Sequence, residues 1–236
     1  MGRKLLIALP VILLIGAIAL WQVSKSRSFQ FFGAIVPRVH TAEKVVALTF
    51  DDGPTKGETD DILKALDELN VKATFFVTGA ELEQNPDEGR KIVAAGHQMG
   101  NHSYSHVRML LVLPSFVQQE IEKTDRLIRA TGYSGEINFR PPFGKKLLAL
   151  PYYLSKNGRK TITWDVEPDS KPDIANDSSR IIEETRARVR PGSIILLHAM
   201  YPSRRESLKA VRGIIEGLRQ NGYRFVTVSE LLAEAP

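Results

Sequence analysis

The chain has 236 residues, no cysteine, 43% hydrophobic and 25% charged side chains, and a formal net charge of +5. That length supports one sizeable core, and the lack of cysteine excludes disulfides and thiolate metal sites, leaving His, Asp and Glu as possible metal ligands. Basic residues are scattered, and no aromatic and basic interleaving or nucleic-acid reading motif occurs, so an anionic envelope partner is weakly favoured and nucleic acid is not expected.

Arg3 and Lys4 precede Leu5 to Val23, an uncharged stretch close to the ~20 residues that cross a bilayer as helix. It reads either as a signal peptide, with Ala17-Ile18-Ala19 as cleavage site, or as an uncleaved anchor. The apolar run continues through Leu20 and Trp21, and a Trp suits the membrane interface, which favours the anchor. Residues 1–23 are therefore expected to be a membrane anchor or signal peptide and 24–43 a linker, with Phe29, Phe31 and Phe32 packing on the domain or the membrane surface. Residues 44–236 form one domain placed outside the cytoplasm, on the periplasmic or cell-wall side.

Within that domain short β-rich runs alternate with helical patterns. Strands are expected at Val45 to Phe50, Ala73 to Thr78, Gln98 to Asn101, Ile137 to Arg140, Lys160 to Trp164, Ser193 to His198 and Arg224 to Val228. Helices are read from the spacing of Ile62, Leu66 and Leu69, of Val117, Ile121 and Ile128, and of Leu208, Val211, Ile215 and Leu218, each closed by Asn or Gly. Strands separated by helices imply parallel neighbours, in a closed barrel or an open doubly wound sheet. Either architecture puts a ligand site at the carboxyl ends of the strands.

The polar motifs fall at those ends. Asp51 and Asp52 follow the first expected strand, and two adjacent carboxylates in a partly dry site call for a cation or a base beside them. His102 and His106, in HSYSH, lie four apart and are expected on one side of a helical turn, where they could share one metal ion with a carboxylate and leave a position open for water. In Arg140-Pro141-Pro142-Phe143-Gly144 the prolines donate no N–H, so Phe143 carries the first free backbone donor after Arg140, one half of an oxyanion hole. Trp164 to Asp169 and Ile195 to His198 close two further strands, and a lone His at such a place is more often a satisfied core residue. His198 gains weight from the acids, imidazoles and arginine at equivalent ends.

TFDDGP at Thr49 to Pro54, HSYSH at His102 to His106, RPPFG at Arg140 to Gly144 and LLHA at Leu196 to Ala199 resemble the ordered motifs of the polysaccharide deacetylases, carbohydrate esterase family four. The resemblance covers roughly Lys44 to Leu232. It implies an α/β fold, a distorted (β/α)7 barrel, and metal-dependent removal of acetyl groups from polysaccharide. It also implies that Asp51 is the general base, that Asp52, His102 and His106 hold the metal, that Arg140 orients the base and that His198 is the general acid. Trp164 and Leu196 resemble the apolar residues that receive the acetyl methyl. The fourth motif departs from the family's pattern: the second aromatic is absent, and Asp165, Glu167 or Asp169 supplies the supporting acid, with Asp169 and Glu167 ranked equally.

The resemblance thus implies a hydrolase acting on N-acetylglucosamine-containing polymer at the cell envelope with one divalent ion, Zn²⁺ first and Co²⁺ or Mn²⁺ as alternatives. The expected partners are that polymer and a membrane, and the chain is expected to be a monomer. The alternatives are an O-acetyl esterase of the xylan type and a non-catalytic, membrane-tethered carbohydrate-binding protein.

Overall fold

The computed structural model describes residues 2–235 and, within the first helix, side chains from Pro10 onward. Helix α1 (Gly2–Lys25) contains Pro10, and its apolar side chains from Val11 to Trp21 stand in solvent. Among the described residues no helix is long and apolar enough to cross a membrane; the span expected over Leu5 to Val23 lies partly outside them. Positions 5–9 lie outside the described side chains.

The segment expected as a linker packs onto the domain. Strand β1 (Ile35–Val36) follows α1, and Ser24, Gln30 and Val39 are buried. The Val39 N–H donates to the Gly192 carbonyl at 3.0 Å. A Cβ on Gly192 would meet the Val39 oxygen at 1.9 Å, so only glycine permits this approach.

Strand β2 (Val45–Asp51) is buried over its whole length. Then follow α2 (Glu58–Glu68), β3 (Thr74–Val77), α3 (Gly79–Gln84), α4 (Pro86–Ala94), β4 (Gln98–Asn101) and α5 (Pro114–Ala130). After them come α6 (Ala149–Lys156), β5 (Thr161–Ile162), α7 (Ser178–Arg188), β6 (Ile194–Leu197), α8 (Arg205–Gln220), β7 (Arg224–Val226) and α9 (Val228–Ala233). Every pairing between these strands is parallel. β6 runs beside Ala47 to Phe50, while β7 takes Val45 to Ala47 and β3 takes Thr49 to Asp51. β4 lies beyond β3.

Single bridges carry the ring onward, from Asn101 to Phe139, from Phe139 to Thr161, and from Val166 to Ile195 on β6. The strand expected over Ile137 to Arg140 is thus a single bridging residue, Phe139, paired on both sides. The strand expected over Lys160 to Trp164 keeps two residues, Thr161 and Ile162, after which the Thr163 N–H makes one more bond, to the Val36 carbonyl at 2.9 Å.

Alternation along β2 sorts its side chains. Val46, Leu48 and Phe50 join Ile62, Leu66, Val211 and Ile215 of α2 and α8 in the outer layer. Val45 and Ala47 join Phe76, Ile162, Trp164, Ile194 and Leu196 in an inner cluster. Thr49 and Asp51 continue that inner register, so the strand itself aims Asp51 into the ring.

Candidate active site

Asp51, the last residue of β2, is buried. Arg140 is the largest fully buried side chain, and its Nη1 donates to Asp51 Oδ1 at 2.5 Å and to Thr49 Oγ1 at 2.8 Å, while Nη2 donates to the Thr163 carbonyl at 3.1 Å. Its guanidinium lies 4.0 Å from the Phe76 ring centroid. Removing one partner of such a buried pair leaves an uncompensated charge, a loss of about 3–5 kcal/mol. The pair fixes one Asp51 oxygen and leaves the other, Oδ2, toward the cleft, 3.6 Å from His102 Nε2.

Asp52 sits at φ 74°, outside the strand conformation, which turns its carboxylate away from the ladder and toward the imidazoles. Its Oδ1 is 3.2 Å from His106 Nε2 and 3.8 Å from His102 Nε2. His102 Nδ1 lies 2.8 Å from the Arg140 carbonyl, so that nitrogen carries the proton and Nε2 presents a lone pair. Burial, then the charge of His102, lowers the His106 pKa against the opposing pull of Asp52, Asp51 and Glu81. A neutral imidazole is the ligand form.

The expected helical turn at HSYSH is not formed. Ser103 and His106 have φ 66° and 55°, and the loop is tied from outside. Glu120 of α5 accepts from the N–H groups of Tyr104 (3.0 Å) and Ser105 (2.8 Å) and from Ser105 Oγ (2.9 Å). The two imidazoles converge because a carboxylate sixteen residues downstream of Tyr104 captures the loop amides, which a helical turn would have spent internally.

Asp52, His102 and His106 each place one ligand atom within 4.8 Å of the others. Asp52 Oδ1 is buried without a hydrogen-bond partner, a costly state for a carboxylate oxygen that no protein donor satisfies. One carboxylate oxygen and two imidazole nitrogens suit a divalent ion such as zinc with a position left open, so the residues fit the group.

Phe143 has φ 57°. The Gly144 and Lys145 N–H groups turn back onto Pro141 and Pro142 at 2.9 Å each, and the Phe143 ring lies 4.7 Å from that of His106. Phe143, Trp164 and Leu196 line a cleft of ≈ 180 Å³ together with Asp51, Asp52, His102, His106 and His198.

His198 stands just beyond β6. Its N–H donates to Asp169 Oδ2 at 2.6 Å, and its Nδ1 lies 3.3 Å from Asp169 Oδ1. Burial alone would lower its pKa, but the Asp169 hydrogen bond and the charges of Asp169, Asp51 and Asp52 outweigh it and push the imidazole up to about 9. Ser207 Oγ and the Arg204 guanidinium anchor Asp169 in turn.

The three acids left open by the fourth motif take separate duties. Asp169 holds His198, Asp165 accepts from Ser193 Oγ and the Ile194 N–H, and Glu167 accepts from Trp164 Nε1 at 2.7 Å. None of them holds Arg140. Sequence reasoning missed Thr49, Ser207 and Glu120, whose partners lie on other elements, and Tyr201, whose hydroxyl donates to Glu81 at 2.6 Å. Burial first, then the charge of Asp52, raises the Tyr201 pKa above its ordinary value.

A family model for polysaccharide deacetylase matches residues 38–162. A peptidoglycan-N-acetylglucosamine deacetylase of Bacillus cereus is 31% identical over 201 residues, covering 85% of this chain and 93% of the relative. The crystal structure of the Bc1960 peptidoglycan N-acetylglucosamine deacetylase superposes with a TM-score of 0.77 at 32% identity, over 82% of this chain and 90% of that one. BA3943 of Bacillus anthracis, a CE4 family pseudoenzyme, is similar with a TM-score of 0.75 at 28% identity, over 84% and 68% of the two chains.

Proposed function

This chain belongs to the polysaccharide deacetylase family, and on that premise we propose that it removes N-acetyl groups from N-acetylglucosamine units of an envelope polymer, using one divalent ion. The family's reaction is hydrolysis of an amide bond. The observation that carries the finer reading is the meeting, in one cleft, of an Arg-bound Asp51, a partnerless Asp52 oxygen between two imidazoles, and an Asp-bound His198.

Each residue has a task there. A divalent ion held by Asp52, His102 and His106 supplies, when bound, polarisation of the acetyl carbonyl and acidification of water. Asp51 takes the proton of the attacking water through Oδ2, the oxygen that Arg140 leaves unclaimed. Arg140, donating to Oδ1, holds the plane of that carboxylate and aims Oδ2 into the cleft. As the carbonyl becomes tetrahedral, the Phe143 N–H donates to the developing oxyanion, where one such donor is worth about 10²–10³ in rate. His198, still protonated below pH 9, gives its proton to the departing sugar amine. Trp164 and Leu196 close around the methyl group.

Zinc suits the donor set best, and cobalt or manganese are the next choices. The polymer class is supported by the Bacillus cereus relative, whose name specifies peptidoglycan N-acetylglucosamine. A position on the outer side of the membrane is supported by that polymer and by the exposed apolar side chains of α1. Acetate release from peptidoglycan and from N-acetylglucosamine oligomers by the full chain in mild detergent, against acetylated xylan, tests the reading. Release from the amide substrates with little from xylan is expected. Release from xylan alone would replace it with an O-acetyl esterase, and zinc binding without any release would replace it with a carbohydrate-binding protein.

A further inference from the structure

Residues 24–27 are pinned to the domain at three points. The Lys146 N–H donates to the Ser24 carbonyl at 3.1 Å, Lys146 Nζ donates to the Ser26 carbonyl, and Thr163 Oγ1 donates to the Arg27 carbonyl at 2.7 Å. Lys146 is itself buried, so this stretch is built into the domain.

The Arg27 side chain then reaches two residues that line the cleft, Glu167 and Trp164. Its Nη2 donates to Glu167 Oε2 at 2.5 Å, the same oxygen that accepts from Trp164 Nε1, and its guanidinium carbon lies 4.7 Å from the Trp164 ring centroid. Trp164 is almost wholly buried. Arg140 reaches the same ring at 5.5 Å, and a Cβ on Gly144 would stand 3.3 Å from the indole edge. The indole is therefore placed by one hydrogen bond, two cations and a glycine. Arg27 supplies one of the cations and neutralises the carboxylate that makes the hydrogen bond. Without Arg27, Glu167 would face the cleft's other carboxylates with no cation of its own, and its hold on the indole would loosen.

We propose that Arg27 is a specificity-determining positioning residue: acting through Glu167, it fixes the Trp164 wall of the cleft and so sets the size of acyl group that is accepted. The inference rests on the deacetylase reading for its substrate. The link between Arg27 and Trp164 stands apart from that reading and has its own readout.

Trp21 and Trp164 are the only tryptophans, so a W21F parent reports Trp164 alone. In that parent, R27A should raise acrylamide quenching of Trp164 and narrow the preference for N-acetyl over N-propionyl glucosamine oligomers. The loss of kcat/KM on the acetyl substrate should be about tenfold and fall mainly on KM, the scale of one methylene in an apolar pocket. R27K keeps the charge on Glu167 and should restore most of the preference. E167Q keeps an acceptor for the indole without the ion pair and should shift both readouts in the same direction by less. It decides the matter if R27A does not fold.

Zinc stoichiometry should be unchanged in all three. Unchanged quenching and unchanged acyl preference in R27A or E167Q would overturn the proposal. Absence of acetate release by the parent would instead overturn the reaction reading, and quenching in R27A would still decide whether Arg27 places Trp164.

Discussion

His198 and His97 are imidazoles at strand ends, the first partly open to the cleft just past the carboxyl end of β6 and the second buried just before the amino end of β4. His97 Nδ1 accepts from the Ala73 N–H at 3.2 Å, and its ring lies 5.2 Å from that of Phe75. Burial, with the charge of Lys72 adding to it, pulls its pKa down to about 4. Burial acts on His198 in the same direction, yet Asp169, Asp51 and Asp52 reverse it and lift that ring to about 9. The same side chain is thus a neutral core acceptor at one end of the ring and a proton donor at the other. What differs is the neighbours: acids gather at the carboxyl ends of the strands, while His97 has an N–H, an aromatic ring and a lysine around it.

The largest change should come from removing a member of the acidic end's cation site. His106→Ala is expected to lose both zinc binding and turnover, by more than about 10²-fold in rate. Isothermal titration beside acetate release would show it, and a full-rate variant would remove His106 from the ligand set. A smaller effect is expected from Asp169→Asn, which strips His198 of its main counter-charge. If its pKa then falls from about 9 to 6.5 or below, the protonated fraction at pH 8 drops roughly thirtyfold. The alkaline limb of kcat/KM should move down by two pH units or more, and a limb that stays near 9 would mean that His198 is not the acid.

Stability should report the contrast most gently. The unfolded imidazole of His97 binds a proton below 6.5 while the folded one resists it down to about 4, so its stabilising contribution is complete above 6.5 and is lost as pH falls through that window. His198, protonated in the fold up to about 9, contributes fully below 6.5 and loses that contribution as pH rises toward 9. Each limb should amount to at most about 3 kcal/mol. Melting curves across pH in the presence of chelator would resolve them. His97→Asn should flatten the acid limb alone, and an unchanged acid limb would count against the depressed pKa.

Much of this end of the molecule was legible because its residues come in short local motifs. Asp51 could be placed from its position at the end of the first apolar run, and the strand endings put His102, Arg140 and His198 on one side of the ring. The sequence reading failed where a distant partner decides local shape. HSYSH looked helical by spacing, but Glu120 takes its amides. Residues 24–43 looked like a linker because nothing local shows that β1 pairs with β5 or that Arg27 meets Glu167, 140 positions away. The fourth motif stayed ambiguous for the same reason: its three acids differ in duty only through Ser193, Trp164 and His198. Strand lengths at Phe139 and Thr161 were overread, since apolar β-rich runs also serve as extended segments held by single bridges.

The central claim is that base and cation site are separate groups in one cleft, and Asp51→Asn tests it most directly. Zinc titration and acetate release should be measured on the same preparation of that variant. One zinc per chain at the wild-type affinity, with turnover lower by roughly 10²–10⁴-fold, is the predicted result. Wild-type turnover, or loss of zinc together with activity, would contradict it.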